Sequence, residues 1–331
     1  MKAIELTGLK IGYSAGKGKV KPIGPLINFD ASEGELIALL GANGIGKSTL
    51  LRTIIHLLPL LSGKITIRGK IQSEIKREEY STLLSFVSTE PVRVSNLSVY
   101  QLVALGRFPY TNWIGKITEI DKNIIEESLE LVNLTRLKAL SIDEISDGER
   151  QRAMIARALA QNTPIILLDE PTAYLDLINK YEIVRILRDL AQTKQKTIIF
   201  STHELNIALS QVDKIWLMNS NEVKQGSPED LIFDNSISQL FGNKLEFNWQ
   251  SGTFKQIKIS NKTIALKCEP GITKELILKA MERIGISIDE NATKLIEVIS
   301  RKKENLFVVK DLLKEVELKS IYELCRYLRE E

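Results

Sequence analysis

Cysteine and histidine are scarce in this chain of 331 residues, which contains two of each. Cys268 and Cys325 are too few for a disulfide framework, so we expect a reducing compartment. His56 and His203 lie far from both cysteines in sequence, which excludes the usual spacing of zinc ligands. No apolar run approaches the roughly 20 residues of a membrane helix, and the first residues lack the apolar segment of a signal peptide. We therefore expect a soluble cytosolic chain.

An excess of one charge is also missing. Lys and Arg number 45 against 42 Asp and Glu, a formal net charge of +3. This excess is too small for an electrostatic nucleic-acid footprint, so we predict no nucleic-acid partner. Apolar residues make up 44% of the chain and charged residues 26%, which excludes a disordered or fibrous protein. The length suits about two domains.

The first two thirds of the sequence alternate short apolar runs with amphipathic helical patterns. Runs at 35–40, 164–168 and 197–200 are almost wholly apolar, which is typical of central strands in a parallel sheet. The alternation predicts an α/β fold in which helices cover that sheet. Further elements are predicted as strands at Ile65–Arg68 and Lys214–Met218 and as helices at Asp121–Val132 and Lys180–Ala191.

The pattern changes near Pro228, which is placed to start a short helix. We predict one domain over 1–242 and a small α+β accessory domain over 243–331. Its predicted strands are Leu245–Trp249, Phe254–Ile259, Thr263–Cys268, Lys294–Ser300 and Leu306–Val309, the last two forming a hairpin, and its predicted helices are Lys274–Ile284 and Ser320–Arg329. Its predicted core is Ile257, Ile259, Ile264, Leu266, Leu276, Ile277, Leu295, Val308 and Val309.

A glycine-rich segment after the first apolar strand matches the phosphate-loop pattern G-x-x-x-x-G-K-[ST] and precedes a helical pattern. In such a loop, backbone N–H groups and a helix N-terminus bind phosphates. Lys47 would neutralise the β- and γ-phosphates, and the Ser48 hydroxyl would coordinate Mg²⁺. The predicted nucleotide-binding residues here are Gly41, Ala42, Asn43, Gly44, Ile45, Gly46, Lys47, Ser48 and Thr49. The alternative, a glycine-rich turn with an incidental lysine, is disfavoured by this context.

Two carboxylates end the apolar run at 164–168. We expect Asp169 to hold Mg²⁺, through water, and Glu170 to act as the general base that polarises the attacking water. The alternative is a pair of acids that cap the following helix. The position of this pair after a phosphate loop favours the catalytic interpretation.

A second helix start precedes the helical run Ala153–Ala160. Ser146 and Glu149, three residues apart, form the pattern of a capping box. The same exposed helix N-terminus, with Asp147 and Gly148, is also placed to bind a second phosphate cluster. The two interpretations are compatible, and both stay open here.

Taken in order, these motifs resemble those of the ATP-binding subunits of ABC transporters, over about residues 1–242. The resemblance identifies Gly41–Thr49 as the Walker A loop and Ile165–Glu170 as the Walker B strand. It also identifies Ser146–Glu149 as the signature motif. The implied fold is a P-loop ABC ATPase core with a helical subdomain over about 90–160.

The same resemblance assigns roles outside these motifs. It implies that Tyr13 stacks on adenine, that Asp176 belongs to the D-loop and that His203 is the switch histidine. It further implies an ATPase that uses ATP and Mg²⁺ as a homodimer. Each ATP would lie between the Walker loops of one subunit and the signature helix of the other.

Three residues depart from the family pattern. Thr89 takes the place of the Q-loop glutamine, Asp147 that of a signature glycine and Glu149 that of the signature glutamine. A carboxylate about 4 Å from a phosphate charge costs about 4 kcal/mol at an effective dielectric constant of about 20. We therefore expect Asp147 to point away from ATP or to pair with Arg150 or Arg152.

A narrower resemblance lies in the segment Leu105–Tyr110 and the following Trp113 and Gly115. It is similar to the importers of iron–siderophore, haem and cobalamin, where this segment faces the permease; the alternative is simple packing. The implied protein is the ATP-hydrolysing subunit of such an importer, peripheral on the cytoplasmic side of the membrane. Its implied partners are permease subunits and a separate substrate-binding protein.

Two other functions stay open. One is a soluble ABC ATPase of DNA repair or translation, which usually carries a coiled-coil insertion or a second ATPase copy, and the sequence shows neither. The other is an ATP-binding regulator with weak or no hydrolysis, which the three departures favour. The sequence after Glu246 offers no phosphate loop and no paired acid and base, so we expect a regulatory or dimer-stabilising role there.

Overall fold

The computed structural model describes residues 1–14, 20–90, 96–111, 115–239, 245–248, 253–256, 262–301, 304–311 and 314–330. Two compact units divide the chain: Met1–Gly242 with Trp249–Gly252, and Asn243–Asn248 with Thr253–Glu331. Some predictions fall outside the described residues, namely those for Trp113, Gly242, Trp249, Ile257 and Ile259 and for the hairpin turn at 302–303.

The larger unit contains helices and two sheets. Its elements are β1 (Lys2–Ser14), β2 (Val20–Ser32), β3 (Leu36–Gly41), α1 (Lys47–Ile54), β4 (Ser62–Ile67), β5 (Lys70–Ile71), α2 (Arg77–Leu83), β6 (Leu84–Val87), α3 (Val99–Ala104), α4 (Glu119–Leu131), α5 (Asp147–Ala160), β7 (Ile165–Leu168), α6 (Leu177–Lys194), β8 (Thr197–Thr202), α7 (Leu205–Gln211), β9 (Lys214–Met218), β10 (Val223–Gly226), α8 (Pro228–Phe233) and α9 (Ser236–Gln239). Short 3₁₀ helices occupy Gln72–Glu74, Leu105–Tyr110 and Thr135–Leu137.

The central sheet has the strand order β10-β9-β3-β8-β7-β6. Its neighbouring strands run parallel except for the antiparallel pair β9 and β10. Every residue of β3, β7 and β8 is buried, as their apolar runs predict for strands covered on both faces. The carboxyl ends of β3, β8, β7 and β6 therefore meet at one edge of this sheet, and the predicted α/β class is confirmed.

A second, antiparallel sheet has the order β2-β1-β4-β5. Of its strands, only β4 is predicted from the sequence. The pairing of β1 with β2 is interrupted by register shifts, one of them between Leu6 and Leu9, which break the strict alternation that identifies a strand from sequence. This sheet carries Tyr13 on β1.

Helices α3, α4 and α5 pack against one another. The predicted permease-facing segment is fixed to them by Arg107, whose Nε lies 2.8 Å from Asp121 Oδ1 and whose Nη1 donates to Ala160 O at 2.8 Å. A Cβ at Gly106 would lie 2.1 Å from the backbone oxygen of Arg157, so only glycine permits this approach. These contacts assign Gly106 and Arg107 to packing, while Phe108 is 74% exposed.

The smaller unit contains β11 (Leu245–Asn248), β12 (Thr253–Gln256), β13 (Lys262–Lys267), α10 (Ile272–Ile284), β14 (Ile286–Ile288), β15 (Leu295–Arg301), β16 (Glu304–Asp311), β17 (Lys314–Leu318) and α11 (Ile321–Glu330). A five-stranded sheet has the order β14-β13-β15-β16-β17. The predicted hairpin of β15 with β16 is confirmed, whereas β14 and β17 were not predicted, since both are short and only partly buried.

Most described members of the predicted core of this unit are buried or partly buried. Ile264, Ile277 and Val309 lie in one apolar cluster with Leu324. The prediction for Leu276 is wrong, because its side chain is 50% exposed. Residues 277, 280 and 281 form the buried face of α10, and a helix turns the side chain at 276 about 100° away from its neighbour. Within the described ranges of both units, no helix has the length and apolar character to cross a membrane.

Candidate functional site

A cavity of about 410 Å³ lies where the loops after β3, β6 and β7 meet. It brings together the phosphate-loop pattern, the Walker B glutamate and the predicted adenine-stacking residue. Its lining residues are Tyr13, Ile23, Asn43, Gly44, Gly46, Lys47, Ser48, Thr49, Thr89 and Glu170. Ile23 was not predicted, since nothing in the sequence placed β2 beside the loop.

The loop ends where α1 begins at Lys47. Gly46 is the N-cap, with φ 110°, and no side chain caps the helix. A Cβ at this position would lie 2.7 Å from Cγ2 of Ile23, so both the backbone conformation and the space require glycine. Without a side-chain acceptor at its N-terminus, α1 offers backbone N–H groups and the positive end of its dipole to an anion.

Lys47 is 5% exposed. Its Nζ donates to the backbone oxygens of Gly41 at 2.9 Å and Ala42 at 3.2 Å, and it lies 3.7 Å from Glu170 Oε1. Burial lowers the pKa of Lys47, and the nearby carboxylates of Glu170 and Asp169 oppose this effect. The ammonium is therefore held in place by hydrogen bonds to the loop itself.

Three hydroxyl groups fix the end of β7. Ser48 Oγ and Ser201 Oγ donate to Asp169 Oδ1 at 2.9 and 2.8 Å, and Thr89 Oγ1 donates to the backbone oxygen of Asp169 at 2.7 Å. Ser201 Oγ also accepts from the backbone N–H of Glu170 at 2.8 Å. Ser201 was not predicted, although a hydroxyl residue just before the predicted switch histidine was a signal that could have identified it.

Glu170 has a φ of 47°, in the left-handed region, which costs of order 1–3 kcal/mol for a residue other than glycine. This backbone conformation directs the Glu170 carboxylate between the Lys47 ammonium and the His203 imidazole. Glu170 Oε1 lies near Lys47, and Glu170 Oε2 lies 3.7 Å from His203 Nδ1. His203 follows β8 at the same sheet edge and is half exposed.

The signature residues do not line the cavity. Ser146 Oγ accepts from the backbone N–H of Glu149 at 3.3 Å, and Glu149 Oε2 accepts from the backbone N–H of Ser146 at 2.8 Å. The predicted capping box is thus confirmed. The Ser146 hydroxyl also donates to Glu149 Oε2 at 2.8 Å, and the two hydrogen bonds that this carboxylate accepts, from the backbone and the hydroxyl of Ser146, lower the pKa of Glu149. Asp147 Oδ1 pairs with Arg150 Nη1 at 2.9 Å, one of the two partners expected for it.

Asp176 also lies outside the cavity lining and is the N-cap of α6. Its Oδ1 accepts from the backbone N–H of Asn179 at 2.8 Å. A Cβ at Gly148 would lie 2.8 Å from Asn179 Oδ1, so Asn179 connects the D-loop aspartate with the signature helix. Asp176 and Gly148 therefore both lie beside Asn179, and neither lines the cavity.

Comparisons with known proteins show the family of this chain. The model of the ABC transporter family matches residues 26–173. An uncharacterised ABC transporter ATP-binding protein of Methanocaldococcus jannaschii is 38% identical over 74% of this chain and 86% of its own length. A petrobactin import ATP-binding protein of Bacillus anthracis is 34% identical over 72% of this chain and 86% of its own. The chain belongs to the ABC transporter ATP-binding family.

Among solved structures, an ABC transporter described as of the metal-chelate type, in an inward-facing conformation, is similar with a TM-score of 0.64 and 29% identity. The similarity covers 77% of this chain and 95% of that chain. As an ATP-binding subunit of an ABC transporter, the protein binds ATP and hydrolyses it. The cavity at the phosphate loop, with Lys47, Thr89 and Glu170 in its lining, is the candidate site for that reaction.

Proposed function

We propose that this ABC subunit drives the import of an iron chelate, haem or cobalamin through a membrane permease. One combination carries the proposal. The chain has a preorganised phosphate loop and an acid pair, and its relatives serve metal-chelate import. The petrobactin import protein and the metal-chelate type transporter support this cargo class. The Leu105–Tyr110 segment supports it from the sequence.

Mg²⁺ suits the oxygen donors beside the phosphate loop. Ser48 Oγ and Asp169 Oδ1 are 2.9 Å apart and are the hard ligands that this ion prefers. Mg²⁺ keeps several of its waters and is usually bound by one or two protein oxygens together with substrate phosphates, which suits this pair of donors. The bound ion would neutralise negative charge on the phosphates.

In the proposed hydrolysis, Tyr13 stacks on adenine while Lys47 and the N-terminus of α1 bind the phosphates. Glu170 then polarises the attacking water, and His203 holds the geometry around the γ-phosphate. Positioning and electrostatic stabilisation perform most of the work in phosphoryl transfer, so no covalent intermediate is required. The hydrogen bonds that fix Asp169 and Glu170 before ATP binds support these roles.

A second copy of the chain is proposed to complete the site. Ser146, Gly148, Glu149 and Asp176 do not line the cavity of their own chain. We propose that these residues contact ATP only across the interface of a homodimer. Closure on ATP and opening after hydrolysis would then act on the permease.

The remaining partners follow from the importer assignment. We infer peripheral attachment to the cytoplasmic side of the membrane, where exposed Phe108 on the helical subdomain is available to contact the permease. A separate substrate-binding protein would deliver the cargo. The unit after residue 242 is proposed as a regulatory or dimer-stabilising domain, since fusion holds it near its partner copy at high effective concentration.

The test is transport by a purified complex. The chain is purified with its permease from native membranes and reconstituted in vesicles with ATP. Uptake of a ferric siderophore is compared with uptake of haem, cobalamin and molybdate, with Glu170→Gln as the inactive control. ATP-dependent uptake of one of the first three is expected. ATP hydrolysis without uptake of the ferric siderophore, haem or cobalamin would contradict the cargo class but leave the ATPase assignment intact.

A further inference from the structure

The smaller unit has a cavity of about 600 Å³ beside the C-terminal end of α10 and along the length of α11. Arg283 contributes from α10, and the other lining residues come from α11. These are Tyr322, Cys325, Arg326, Arg329 and Glu330. Tyr322, Cys325, Arg326 and Arg329 follow the i, i+3, i+4, i+7 spacing, so a single stripe of the helix faces the cavity.

Positive charge dominates this cavity. Among the described residues, three guanidinium groups line it against one carboxylate, and that carboxylate is engaged, because Glu330 Oε1 lies 3.0 Å from Arg326 Nε. Over the ranges that the structure covers, neither Arg283 nor Arg329 has a carboxylate within ion-pair distance. The contact recorded for Arg283 is weak, with Nη2 4.0 Å from Cys325 Sγ.

Helix electrostatics explains part of this arrangement. Arg283 and Arg329 lie in the last turns of α10 and α11, where a cation is favourable to the helix dipole. The helix dipole stabilises a cation near the C-terminus on any side of the helix. It does not require the two arginines to share one cavity with Arg326, where their charges repel one another. An anion in the cavity removes this repulsion.

The walls fit an anion with an organic framework. Guanidinium groups bind carboxylates and phosphates through paired N–H donors. The Tyr322 ring and the buried Cys325 thiol supply an apolar wall, and the volume is that of a small-molecule site. We propose that this cavity binds a small organic anion that carries two or more carboxylate or phosphate groups.

The test is isothermal titration of the full chain with citrate and, separately, with inorganic phosphate, at constant ionic strength. Citrate is expected to bind with one site per chain. The double variant Arg283→Gln/Arg329→Gln should lose at least about tenfold in affinity, as expected for two charge-assisted hydrogen-bond donors. The double variant Arg283→Lys/Arg329→Lys keeps the charge but not the paired donors. Its citrate affinity should lie between that of the native chain and that of the glutamine double variant.

Two matched variants locate the binding. Arg185→Gln, on exposed Arg185 of α6, should leave citrate affinity unchanged, and Lys47→Ala should do the same because it alters only the phosphate loop. Thermal unfolding of the double variant controls for folding, which should be intact since both arginines are exposed. Equal citrate affinity in the double variant, or loss of citrate binding in Lys47→Ala, would overturn the proposal. Phosphate that binds as tightly as citrate would overturn the requirement for an organic framework.

Discussion

The larger unit has two helix N-termini that the sequence assigns to phosphate, and they are built in opposite ways. At α1 the N-cap is Gly46, no side chain accepts from the helix, and the buried Lys47 ammonium lies beside the open N–H groups. At α5 the N-cap is Ser146, which is closed by Glu149 in a capping box, and Asp147 adds a second carboxylate. The first end has no capping side chain and is open to an anion, whereas the second end already has one first-turn N–H capped and two carboxylates beside it.

This contrast shows how much a helix N-terminus depends on its cap. The dipole is the same in kind at both ends, but at α5 the Ser146 hydroxyl accepts from the backbone N–H of Glu149, and two carboxylates in the first turn offset the positive end of the dipole. In the proposed dimer, the α5 end must approach a phosphate that the α1 end of the other copy already holds.

The largest effect is expected from Glu170→Gln. The amide keeps the shape of the side chain but removes the base, so hydrolysis should fall at least about 100-fold while ATP binding persists. ATP should then stay trapped between α1 of one copy and α5 of the other. Phosphate release measures the first effect, and size-exclusion chromatography with ATP measures dimer formation. A variant that stays monomeric with ATP would remove the support for a shared site.

Lys47→Ala should act on the α1 end alone. Loss of a charged donor to phosphate corresponds to about 1.5–3 kcal/mol, so ATP affinity should fall about 10- to 100-fold. Fluorescent-nucleotide titration provides the measurement. Lys122→Ala, which removes an exposed lysine paired with Glu119 on α4, is the control and should bind ATP normally. Unchanged affinity in Lys47→Ala would mean that the buried ammonium does not face the phosphates.

The α5 end is tested by Asp147→Gly and Glu149→Gln together. Removing two negative charges from the signature helix should strengthen ATP-dependent dimerisation about tenfold. This factor already allows for solvent screening of the exposed Asp147. Loss of the capping carboxylate should at the same time lower the melting temperature slightly. Analytical ultracentrifugation in the Glu170→Gln background measures the dimer constant. Weaker dimerisation in this variant would show that the acids contribute contacts across the interface.

A pH titration separates the two ends further. Burial lowers the pKa of Lys47 below the usual value for lysine, and only the protonated form neutralises phosphate. ATP affinity should therefore be complete below this lowered pKa and decline as the pH rises through it. Lys47→Ala should flatten the alkaline decline, whereas the Asp147 and Glu149 changes should leave it in place. An identical decline in Lys47→Ala would assign it to another group.

Much of this contrast was predictable from sequence because it is local. The loop at Gly41–Thr49, the acid pair and the capping box each lie within a few residues, and the apolar runs placed β3, β7 and β8. Long-range placement was not predictable from such patterns. Ile23 reaches Gly46 only through the pairing of β2 with β1, whose register shifts hide both strands.

The error at Leu276 has a related cause. Its helix was predicted, but the buried face was assigned by apolarity, and the sheet beneath α10 selects Ile277 instead. Two adjacent apolar residues on a helix cannot both point at the same neighbour. Which of them is buried depends on the rotation of the helix, and that rotation is fixed by tertiary packing.

The smallest effect is expected at Thr89. Its hydroxyl donates to the backbone oxygen of Asp169 at 2.7 Å, which stabilises the end of β7. Because its hydrogen is used in this bond, the hydroxyl does not donate to the attacking water. A longer amide can reach the cavity, and Thr89→Gln should raise basal ATP turnover about two- to threefold by positioning the attacking water. Thr89→Ser, which keeps the hydroxyl, is the control and should match the native rate. Steady-state phosphate release makes the comparison, and lower turnover in Thr89→Gln would show that the hydrogen bond to Asp169 matters more than reach.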